Sequence, residues 1–336
     1  MARRFRRTLA AVGATAAVVA AAALPTQVAY GINVPCTVSG LIAAINTANG
    51  TSGDTVNLAP GCTYTLTAPD NDTNGLPVIV STMTINGGGD TITRASTAPG
   101  FRIFKVAGTA RLTLNALTVS GGLVTCPASG CAAQGGGIEN SGILTLNRSQ
   151  VTGNKVSCSF SSCVADGGGL SNSGGTVNLS GSQVAGNTAS SSSGGGFAVG
   201  GGIFNDSSST ANLDGSQVTG NTASCSGTSC NSGGGGIFNF GTATLNNSRV
   251  TSNTDSCSGT SCKAHGGGIF NANPGGPVTL NDSTVTSNTA SCSATGCSAG
   301  GGGIAKQDPV ILNNSTVTSN IPDNCEPAGS VPGCTG

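Results

Sequence analysis

The sequence predicts an all-β protein, a right-handed parallel β-helix with an N-terminal capping helix and disulfide-clipped loops. Three features carry this prediction: a repeat of 32–35 residues, apolar residues two positions apart within each repeat, and cysteine pairs at one constant spacing. Charged residues form only 8% of the 336 residues, against about 25% in an ordinary globular domain. The 55 glycines would suggest disorder in an aperiodic chain, so the period decides in favour of a solenoid.

The repeat begins with a glycine triplet followed by an aliphatic residue, and it occurs six times. Successive aliphatic residues lie 32, 33, 34, 32 and 35 positions apart, and they are Ile138, Leu170, Ile203, Ile237, Ile269 and Ile304. Each repeat then has a Leu and a Ser-x-Val-x-x-Asn motif, whose valines are Val151, Val184, Val218, Val250, Val285 and Val317. Each unit is therefore expected to form one coil.

Within each unit the apolar spacing is that of strands, as in the Val-Thr-Leu of residues 278–280. Helical arrays of similar period need long amphipathic stretches rich in Ala, Leu, Glu and Lys. We expect three short strands per coil, at the aliphatic residue, the Leu and the Val. Four side chains should point inward, for example Ile203, Ala211, Leu213 and Val218 in the third coil. The Cys-x4-Cys segment is expected to leave the coil as an excursion.

The predicted domain boundaries follow from these units. Residues 1–31 are expected to be a signal peptide, 32–122 an N-terminal cap with irregular first coils, 123–320 the six repeats, and 321–336 a C-terminal cap. The first segment has four arginines, an apolar run and then small residues, which is the order of a secretory signal. Its apolar run is shorter than a bilayer span requires. Residues 38–48 have apolar residues at helical spacing and predict the capping helix.

All 14 cysteines follow the predicted signal peptide, and an even number in an exported protein indicates disulfides. Five pairs share the Cys-x4-Cys spacing, and two longer pairs lie at the ends of the chain. The expected pairs are Cys36–Cys62, Cys126–Cys131, Cys158–Cys163, Cys225–Cys230, Cys257–Cys262, Cys292–Cys297 and Cys325–Cys334. Half a zinc site, with His265 as a further ligand, is the alternative interpretation of such a pair.

The charge distribution excludes one class of partner. Without the four N-terminal arginines, nine basic and 13 acidic residues remain, spread thinly, for a formal charge of −4. Nucleic-acid binding needs clustered Lys and Arg, so it is not expected. We expect an extracellular protein, released or associated with the cell wall, with no membrane span after signal removal and no cofactor. The export route and the oligomeric state are left open.

An Asn follows the repeated aliphatic residue by two positions in the first five of the six repeats. These residues fall in register in successive coils, and they are Asn140, Asn172, Asn205, Asn239 and Asn271. Asn forms amide ladders in stacked parallel strands, and it also tolerates the left-handed backbone of tight turns. A structural role is expected in either case.

The glycine-aliphatic and Val-x-x-Asn motifs resemble the repeats of the polymorphic outer-membrane protein family, whose motifs are Gly-Gly-aliphatic and Phe-x-x-Asn. The resemblance covers residues 117–320, with Val in place of the family's Phe. Residues 36–45 resemble the Cys-Ser-Leu-Arg-Glu-Ala segment that opens many exported bacterial β-helices, without its charged residues. The resemblance implies a pectate-lyase-like β-helix on or outside a bacterial cell, with adhesion or surface interaction as its role.

No catalytic constellation is predicted, and neither a catalytic residue nor a metal ligand is assigned. Four aspartates fall in different columns or in distant coils. They are Asp206, Asp214, Asp255 and Asp282. The sole histidine, His265, shares a column with Asp166 at a distance of three coils, about 14 Å, which is too far for a hydrogen bond.

Two other classes of function stay open. A polysaccharide lyase or glycoside hydrolase of the β-helix type would have its site in the irregular early coils. The polar residues there are Asp90, Arg94, Arg102 and Lys105. An ice- or mineral-binding solenoid would need flat ranks of Thr. Thr284 and Thr286 begin such ranks, but earlier coils have Gln or Arg in the first column, which favours ordinary solvated strands.

The candidate ligand-binding residues are Phe204, Phe238 and Phe270, which follow the repeated Ile in three consecutive coils. If that Ile faces inward, alternation places the rings in an outward stripe about 10 Å long; otherwise they form an internal stack. Exposed stacked aromatics suit a sugar face or a protein hot spot. The predicted function is therefore non-enzymatic binding, adhesion or surface structure, with a polysaccharide or cell-surface partner.

Overall fold

The computed structural model describes residues 30–126 and 128–335. The strands pair in parallel from coil to coil and form a β-solenoid of about eight turns, so the predicted fold class is confirmed. The predicted signal peptide lies outside the described residues except for its last two, and Gly31 begins the first strand.

Five strands form each regular coil, and each strand belongs to one of five parallel sheets, which we name after a residue type that recurs in them. The Ile sheet contains Phe104–Val106, Ile138–Asn140, Leu170–Asn172, Ile203–Asn205, Ile237–Asn239, Ile269–Asn271, Ile304–Lys306 and Cys325–Glu326. The Leu sheet contains Gly31–Val34, Asp54–Leu58, Thr82–Asn86, Arg111–Asn115, Ile143–Asn147, Thr176–Ser180, Thr210–Asp214, Thr242–Asn246, Val278–Asn281 and Val310–Asn313. The Val sheet contains Thr63–Leu66, Thr91–Arg94, Thr118–Ser120, Gln150–Thr152, Gln183–Ala185, Gln217–Thr219, Arg249–Thr251, Thr284–Thr286 and Thr316–Thr318.

The other two sheets are built from the segments around the cysteine pairs. The Cys sheet contains Leu123–Thr125, Lys155–Cys158, Thr188–Ser191, Thr222–Cys225, Thr254–Cys257 and Thr289–Cys292. The Ala sheet contains Ala132–Gln134, Val164–Asp166, Phe197–Val199, Asn231–Gly233, Lys263–His265 and Ser298–Gly300. In each regular coil the chain passes through the Ile, Leu, Val, Cys and Ala sheets in that order.

The main core lies inside the Ile, Leu and Val sheets. In the third coil, the predicted inward side chains Ile203, Ala211, Leu213 and Val218 are all buried. Equivalent side chains in the neighbouring coils join the same cluster, so apolar columns run along the solenoid. One coil buries too little apolar surface to offset the cost of ordering its residues, so stability depends on stacking.

The Cys and Ala sheets enclose a second lobe, which corrects the expectation of three strands and an excursion. Both strands of this lobe pair in register with the next coil. Small side chains fill the space between the two sheets, for example Ala198, Cys225, Cys230 and Ala264. A Thr-Ala-Ser-Cys segment has little of the apolar alternation that predicts a strand. It is a strand because its backbone hydrogen-bonds to the equivalent segments of the neighbouring coils.

Seven disulfides join the 14 cysteines in the predicted pairs. The Cys-x4-Cys bonds line the interior of the second lobe, so they supply core volume as well as closing a loop. Cys262 is bonded to Cys257 and is therefore not a zinc ligand beside His265.

The second coil, which begins at Leu170, lacks this bond. Ser191 lies in register with Cys158 and Cys225, and the second cysteine position is taken by Gly196. A hydrogen bond of 2.9 Å between the hydroxyls of Ser191 and Ser193 replaces the covalent link. The lobe interior accordingly divides into two apolar clusters, one on each side of this coil.

Each regular coil narrows to a neck where the glycine triplet passes the chain that enters the second lobe. A Cβ on Gly169 would lie 2.8 Å from Cγ of Asn187, and one on Gly168 would overlap the backbone of Thr188. Glycine is therefore required for this close approach. The Asn187 amide donates to the Val151 carbonyl and to the equivalent Asn of the next coil, both at 2.9 Å. The Asn of the Val-x-x-Asn motif thus forms a ladder along the neck.

The Asn column of the Ile sheet forms a second ladder. The first four side-chain amides donate to the amide oxygen of the next coil at 2.7 or 2.8 Å, and the last, that of Asn271, donates to the Pro309 carbonyl at 2.9 Å. The members are Asn140, Asn172, Asn205, Asn239 and Asn271, and all five are fully buried. They lie in strands, which decides between the two predicted uses of Asn in favour of the ladder.

The N-terminal end is covered by the predicted helix, which spans Val38–Gly50. Thr37 caps it by accepting a hydrogen bond from the backbone N–H of Gly40. The helix buries Leu41, Ala44, Ile45 and Ala48. At the other end, Val331 and Cys334 are buried in the main core cluster, so the C-terminal segment covers that end as expected.

We predict that the second lobe of the second coil is cleaved first in limited proteolysis, because its neighbours in the lobe are held by disulfides. The variant Ser191→Cys, Ser193→Gly, Gly196→Cys should form an eighth disulfide. A Cβ at position 196 overlaps the hydroxyls of Ser193 and Ser191, which the variant removes, and otherwise lies 2.9 Å from the carbonyl oxygen of Cys163. A six-residue ring should stabilise the protein by about 2 kcal/mol.

The measurements are the intact mass, the melting temperature and the first cleavage site. Ser191→Ala, Ser193→Gly, Gly196→Ala is the control for substitution without a bond. Equal resistance of all lobes in the unmodified protein would contradict the idea that the disulfides limit local opening.

Candidate functional site

A groove runs along the solenoid where the outer faces of the Ile and Ala sheets meet. Its volume is about 530 Å³. The glycine triplets form the corner between the two sheets, so the neck that divides the two cores also makes the concave surface. An apolar pocket of this size with a few polar groups is typical of a ligand site.

The floor of the groove contains the three predicted phenylalanines. Ile203, one residue before Phe204, faces the main core, so alternation turns the rings out of that core. Phe204 and Phe238 stack at 5.7 Å between ring centroids, and Phe238 and Phe270 meet edge to face at 5.2 Å. Phe240, which the sequence analysis did not single out, packs on Phe238 at 4.9 Å.

The rings are outside the main core but only partly open to solvent. Phe204 and Phe238 are each 6% exposed, and Phe270 is half-buried. They form an apolar cluster of their own with Val199 and Ala272. The sequence left two alternatives open, an outward stripe and an internal stack. In the structure the rings point outward from the main core, and the second lobe covers most of their surface.

The Ala sheet forms the opposite wall and contributes Val164, Phe197 and Val199. Phe197 is 44% exposed, so its ring stands at the rim. Space for the floor rings comes from Gly233, where a Cβ would lie 2.6 Å from the ring of Phe270. A larger residue at position 233 would push this ring into the groove.

Polar side chains are arranged around the aromatic floor. Asn231 and Lys263 lie on the Ala sheet, and Asn273 and Gln307 lie on the side of the Ile sheet. Lys263, Asn273 and Gln307 are exposed, so their amide and ammonium groups are accessible at the rim. The groove therefore combines ring surfaces with hydrogen-bonding groups on both sides.

Asp166 lies at the N-terminal end of the groove and is buried. Its Oδ2 accepts a hydrogen bond of 3.5 Å from Gln134, and Oδ1 has no partner among the described residues. Burial raises the pKa of Asp166 to about 7; the hydrogen bond from Gln134 opposes this rise, and the charge of Asp206 adds to it. This carboxyl is therefore partly protonated at neutral pH.

His265 lies at the C-terminal end of the groove, and its partner is Glu326. The distance from Nδ1 to Oε2 of Glu326 is 3.0 Å. Glu326 comes from the last strand and reaches His265 across two small residues, Gly300 and Ala305; a Cβ on Gly300 would overlap its carboxylate. No pattern in the sequence indicates this pair, because Glu326 belongs to the C-terminal cap.

The register separates His265 from Asp166 by three strands of the Ala sheet, as predicted. At about 4.8 Å per strand the two groups are some 14 Å apart and cannot act on one bond. The groove thus contains two titratable positions at opposite ends of an aromatic floor. That arrangement suits holding an elongated molecule.

The polar residues of the irregular coils have structural contacts. Arg102 and Lys105 form ion pairs of 3.0 and 2.9 Å with Glu139. Arg94 donates to the carbonyls of Gly121 and Ala98, and the Asp90 carboxylate accepts from the backbone N–H of Cys62. These contacts bind early coils to one another, and the second carboxylate oxygen of Asp90 is buried without a hydrogen bond among the described residues. The four polar candidates are Asp90, Arg94, Arg102 and Lys105.

Asp255 is the other perturbed carboxyl, and it lies inside the second lobe. It is fully buried in a column that has Ala223 and Ala290 on either side. Neither carboxylate oxygen has a well-formed hydrogen bond among the described residues. Burial raises its pKa well above the usual range. Asp214 and Asp282 are exposed on outer surfaces, so these aspartates do not meet.

Comparisons of the chain with protein-family models, with curated proteins and with solved structures found no match. The geometry of the groove is therefore the basis for inferring a function. The described residues contain no helix that is both long and apolar enough to cross a membrane. Within the same residues, groups of three close metal-type ligands occur only among disulfide-bonded cysteines.

We predict that Asp166 lowers stability as the pH rises from 3.8 to about 7, because the unfolded carboxyl ionises first and the folded one retains its proton. The slope from this group is at most about 1.4 kcal/mol per pH unit. Asp166→Asn keeps a similar shape without the charge, so it should flatten the dependence and be the more stable form at pH 8. Denaturant unfolding at several pH values measures both effects.

Asp214→Asn is the matched control, since Asp214 is exposed. It should leave the pH dependence as it is in the unmodified protein. An unchanged slope in Asp166→Asn would show that this carboxyl titrates normally.

Proposed function

We propose that this protein is an extracellular, non-enzymatic binding module that holds a polysaccharide chain in the groove between the Ile and Ala sheets. The observation that carries the proposal is the aromatic floor: four phenylalanine rings in contact, outside the main core, along the direction of the solenoid axis. A linear chain lying parallel to the axis would contact successive rings.

The chemistry of the groove supports a sugar ligand. Sugar rings have apolar C–H faces, which pack on aromatic rings, and hydroxyl edges, which need hydrogen-bonding partners. Phe270 and Phe197 offer the accessible ring surface. Amides suit the edges, since each offers both a donor and an acceptor; Asn231, Asn273 and Gln307 supply them.

The position of the titratable groups supports binding without turnover. Glycosidic cleavage by two carboxyls needs them within about 10 Å, and the groove has Asp166 and His265 three strands apart. His265 is paired with Glu326 through Nδ1. A polysaccharide lyase or hydrolase stays the alternative, and turnover of any glycan would favour it.

Several disulfides in a small-residue core fit an extracellular location, where such bonds persist. We further propose that residues 1–31 direct secretion and that the repeats are of the polymorphic outer-membrane protein type, with an adhesive role on the cell surface or wall. The N-terminal charge pattern and the two repeat motifs support these proposals.

We predict that Phe197→Ala lowers glycan affinity about tenfold, the loss of roughly 1.4 kcal/mol that an aromatic contact typically contributes. The melting temperature should not change, because this ring is 44% exposed. A glycan array with a cell-wall pull-down identifies the ligand, and calorimetry with that ligand measures the affinity.

Phe160→Ala is the matched control, since Phe160 is also 44% exposed and does not line the groove. It should bind as the unmodified protein does. Phe204, Phe238 and Phe270 are less suitable for this test, because truncating buried rings costs about 3–5 kcal/mol of stability. Equal affinity of the two single variants for the identified glycan would overturn the proposed site.

A further inference from the structure

The outer face of the Cys sheet carries columns of hydroxyl groups. Its strands repeat the pattern Thr-Ala-Ser-Cys, in which Ala and Cys face the lobe interior and Thr and Ser face solvent. The Thr column is Thr188, Thr222, Thr254 and Thr289. The Ser column is Ser157, Ser190, Ser224, Ser256 and Ser291. The strand register therefore places one hydroxyl of each column in every coil.

A third column extends this face beyond the cysteines. Ser226 and Ser258 follow Cys225 and Cys257, and each pairs through its backbone N–H with the preceding coil. Both are exposed. A shallow trough of about 260 Å³ lies over the two serine columns near the middle of the sheet. The hydroxyl groups thus form a two-dimensional array, which repeats along the strands and along the solenoid axis.

Most of these hydroxyls are available to an external partner. Within the part of the chain that the structure describes, no hydroxyl of the Thr column and none of Ser224, Ser256 and Ser291 forms a hydrogen bond. Ser190 donates to the Ser157 hydroxyl and to the Val156 carbonyl, both at 3.3 Å. The Asn column on the outer face of the Leu sheet differs, because amide ladders such as Asn115 to Asn86 satisfy it. The Cys sheet therefore combines two neighbouring hydroxyl columns in register with donors and acceptors that are largely unused.

The face also has almost no charge. Lys155 is the charged member of its outward columns, and it lies at one end of the Thr column. Asp255 belongs to the same sheet but points into the lobe, where it is fully buried. A charged mineral surface would need opposing charges here, whereas a neutral lattice of water or hydroxyls would not.

We propose that the Thr and Ser columns of the Cys sheet form a surface that binds ice. Parallel strands set a spacing of about 4.8 Å along the axis and about 6.6 Å between outward residues of one strand. Both distances are close to repeats of the hexagonal ice lattice. Water molecules bonded to successive hydroxyls inherit these spacings, so they match the lattice with little further ordering.

The disulfides of the second lobe help to hold the hydroxyl columns at the spacing that fits the ice lattice. Cys225, Cys257 and Cys292 sit directly beneath the serine column and each is bonded within its own coil. A rigid sheet loses little conformational entropy when it binds a lattice, which favours a preformed array over a flexible one. The proposal is independent of the groove, because it uses the opposite sheet of the lobe.

The Thr ranks predicted from the sequence, at Thr284 and Thr286, lie on the Val sheet. In the first column of that sheet Gln150, Gln183 and Arg249 interrupt the rank. The sequence predicts an excursion where the Cys sheet lies, so it does not indicate the hydroxyl columns of that sheet.

The test measures thermal hysteresis and ice-crystal shape with the full chain. The unmodified protein should hold the freezing point below the melting point and produce faceted crystals. Thr222→Lys with Thr254→Lys should abolish both effects, because two long charged side chains break the array in adjacent coils. The control is Thr219→Lys with Thr251→Lys, three residues earlier in the same coils, on the Val sheet and equally half-buried. It should keep both effects.

Absence of hysteresis in the unmodified protein, at an unchanged circular-dichroism spectrum, would overturn the proposal. Equal loss in the control pair would also overturn it, by showing that the Cys sheet is not the surface involved. Sedimentation with crystalline cellulose, lost in Thr222→Lys with Thr254→Lys and unaccompanied by hysteresis, would assign the face to a polysaccharide lattice instead. Phe197→Ala should leave hysteresis unchanged, so failure of the glycan proposal and failure of this one are distinguishable.

Discussion

The close backbone approach at the neck is the constraint on which the rest of the structure depends. The glycine triplet lies against the chain that enters the second lobe, at distances that exclude any Cβ. The Asn of the Val-x-x-Asn motif fills the remaining space and hydrogen-bonds to both sides, as Asn187 does to Val151. The two sequence motifs that define the repeat are therefore the two halves of one contact. Without it, each coil would enclose one wide, poorly filled interior.

Division at the neck lets two cores of different chemistry coexist in each coil. The main core uses Ile, Leu and Val and follows the usual rule of apolar burial. The second lobe is thin, so its interior is filled mostly by Ala, Ser and half-cystine, with Val124 and Val156 as its larger members. Such small side chains contribute little burial energy, and local disulfides of about 2 kcal/mol each compensate in part. The same thinness explains why Asp255 is costly there: its carboxylate is fully buried, and neither oxygen has a well-formed hydrogen bond among the described residues.

The sequence predicted those features that repeat and are apolar or covalent. The main core, the capping helix at Val38–Gly50, the cysteine pairs and the register of the Asn column follow from periodicity and spacing, whereas the choice between a ladder and turns for that column comes from the structure. The second lobe was missed because its strands contain one Ala between polar residues, and such strands exist only through pairing with neighbouring coils. The orientation of Phe204 could not be predicted for a related reason. Its ring lies in the groove that the second lobe forms with the Ile sheet, and the second lobe was not predicted.

The candidate site was harder to predict because it consists of exceptions to the repeat. Phe204, Phe238 and Phe270 stand where other coils have Glu, Ser and Ala, and Glu326 reaches His265 only because Gly300 and Ala305 are small. A departure of this kind has no period, so a repeat search cannot find it.

The two outer faces of the lobe therefore differ in kind. The Ala sheet has a different residue in almost every coil and suits one irregular ligand, whereas the Cys sheet presents nearly the same hydroxyls in every coil and suits a partner that is itself periodic.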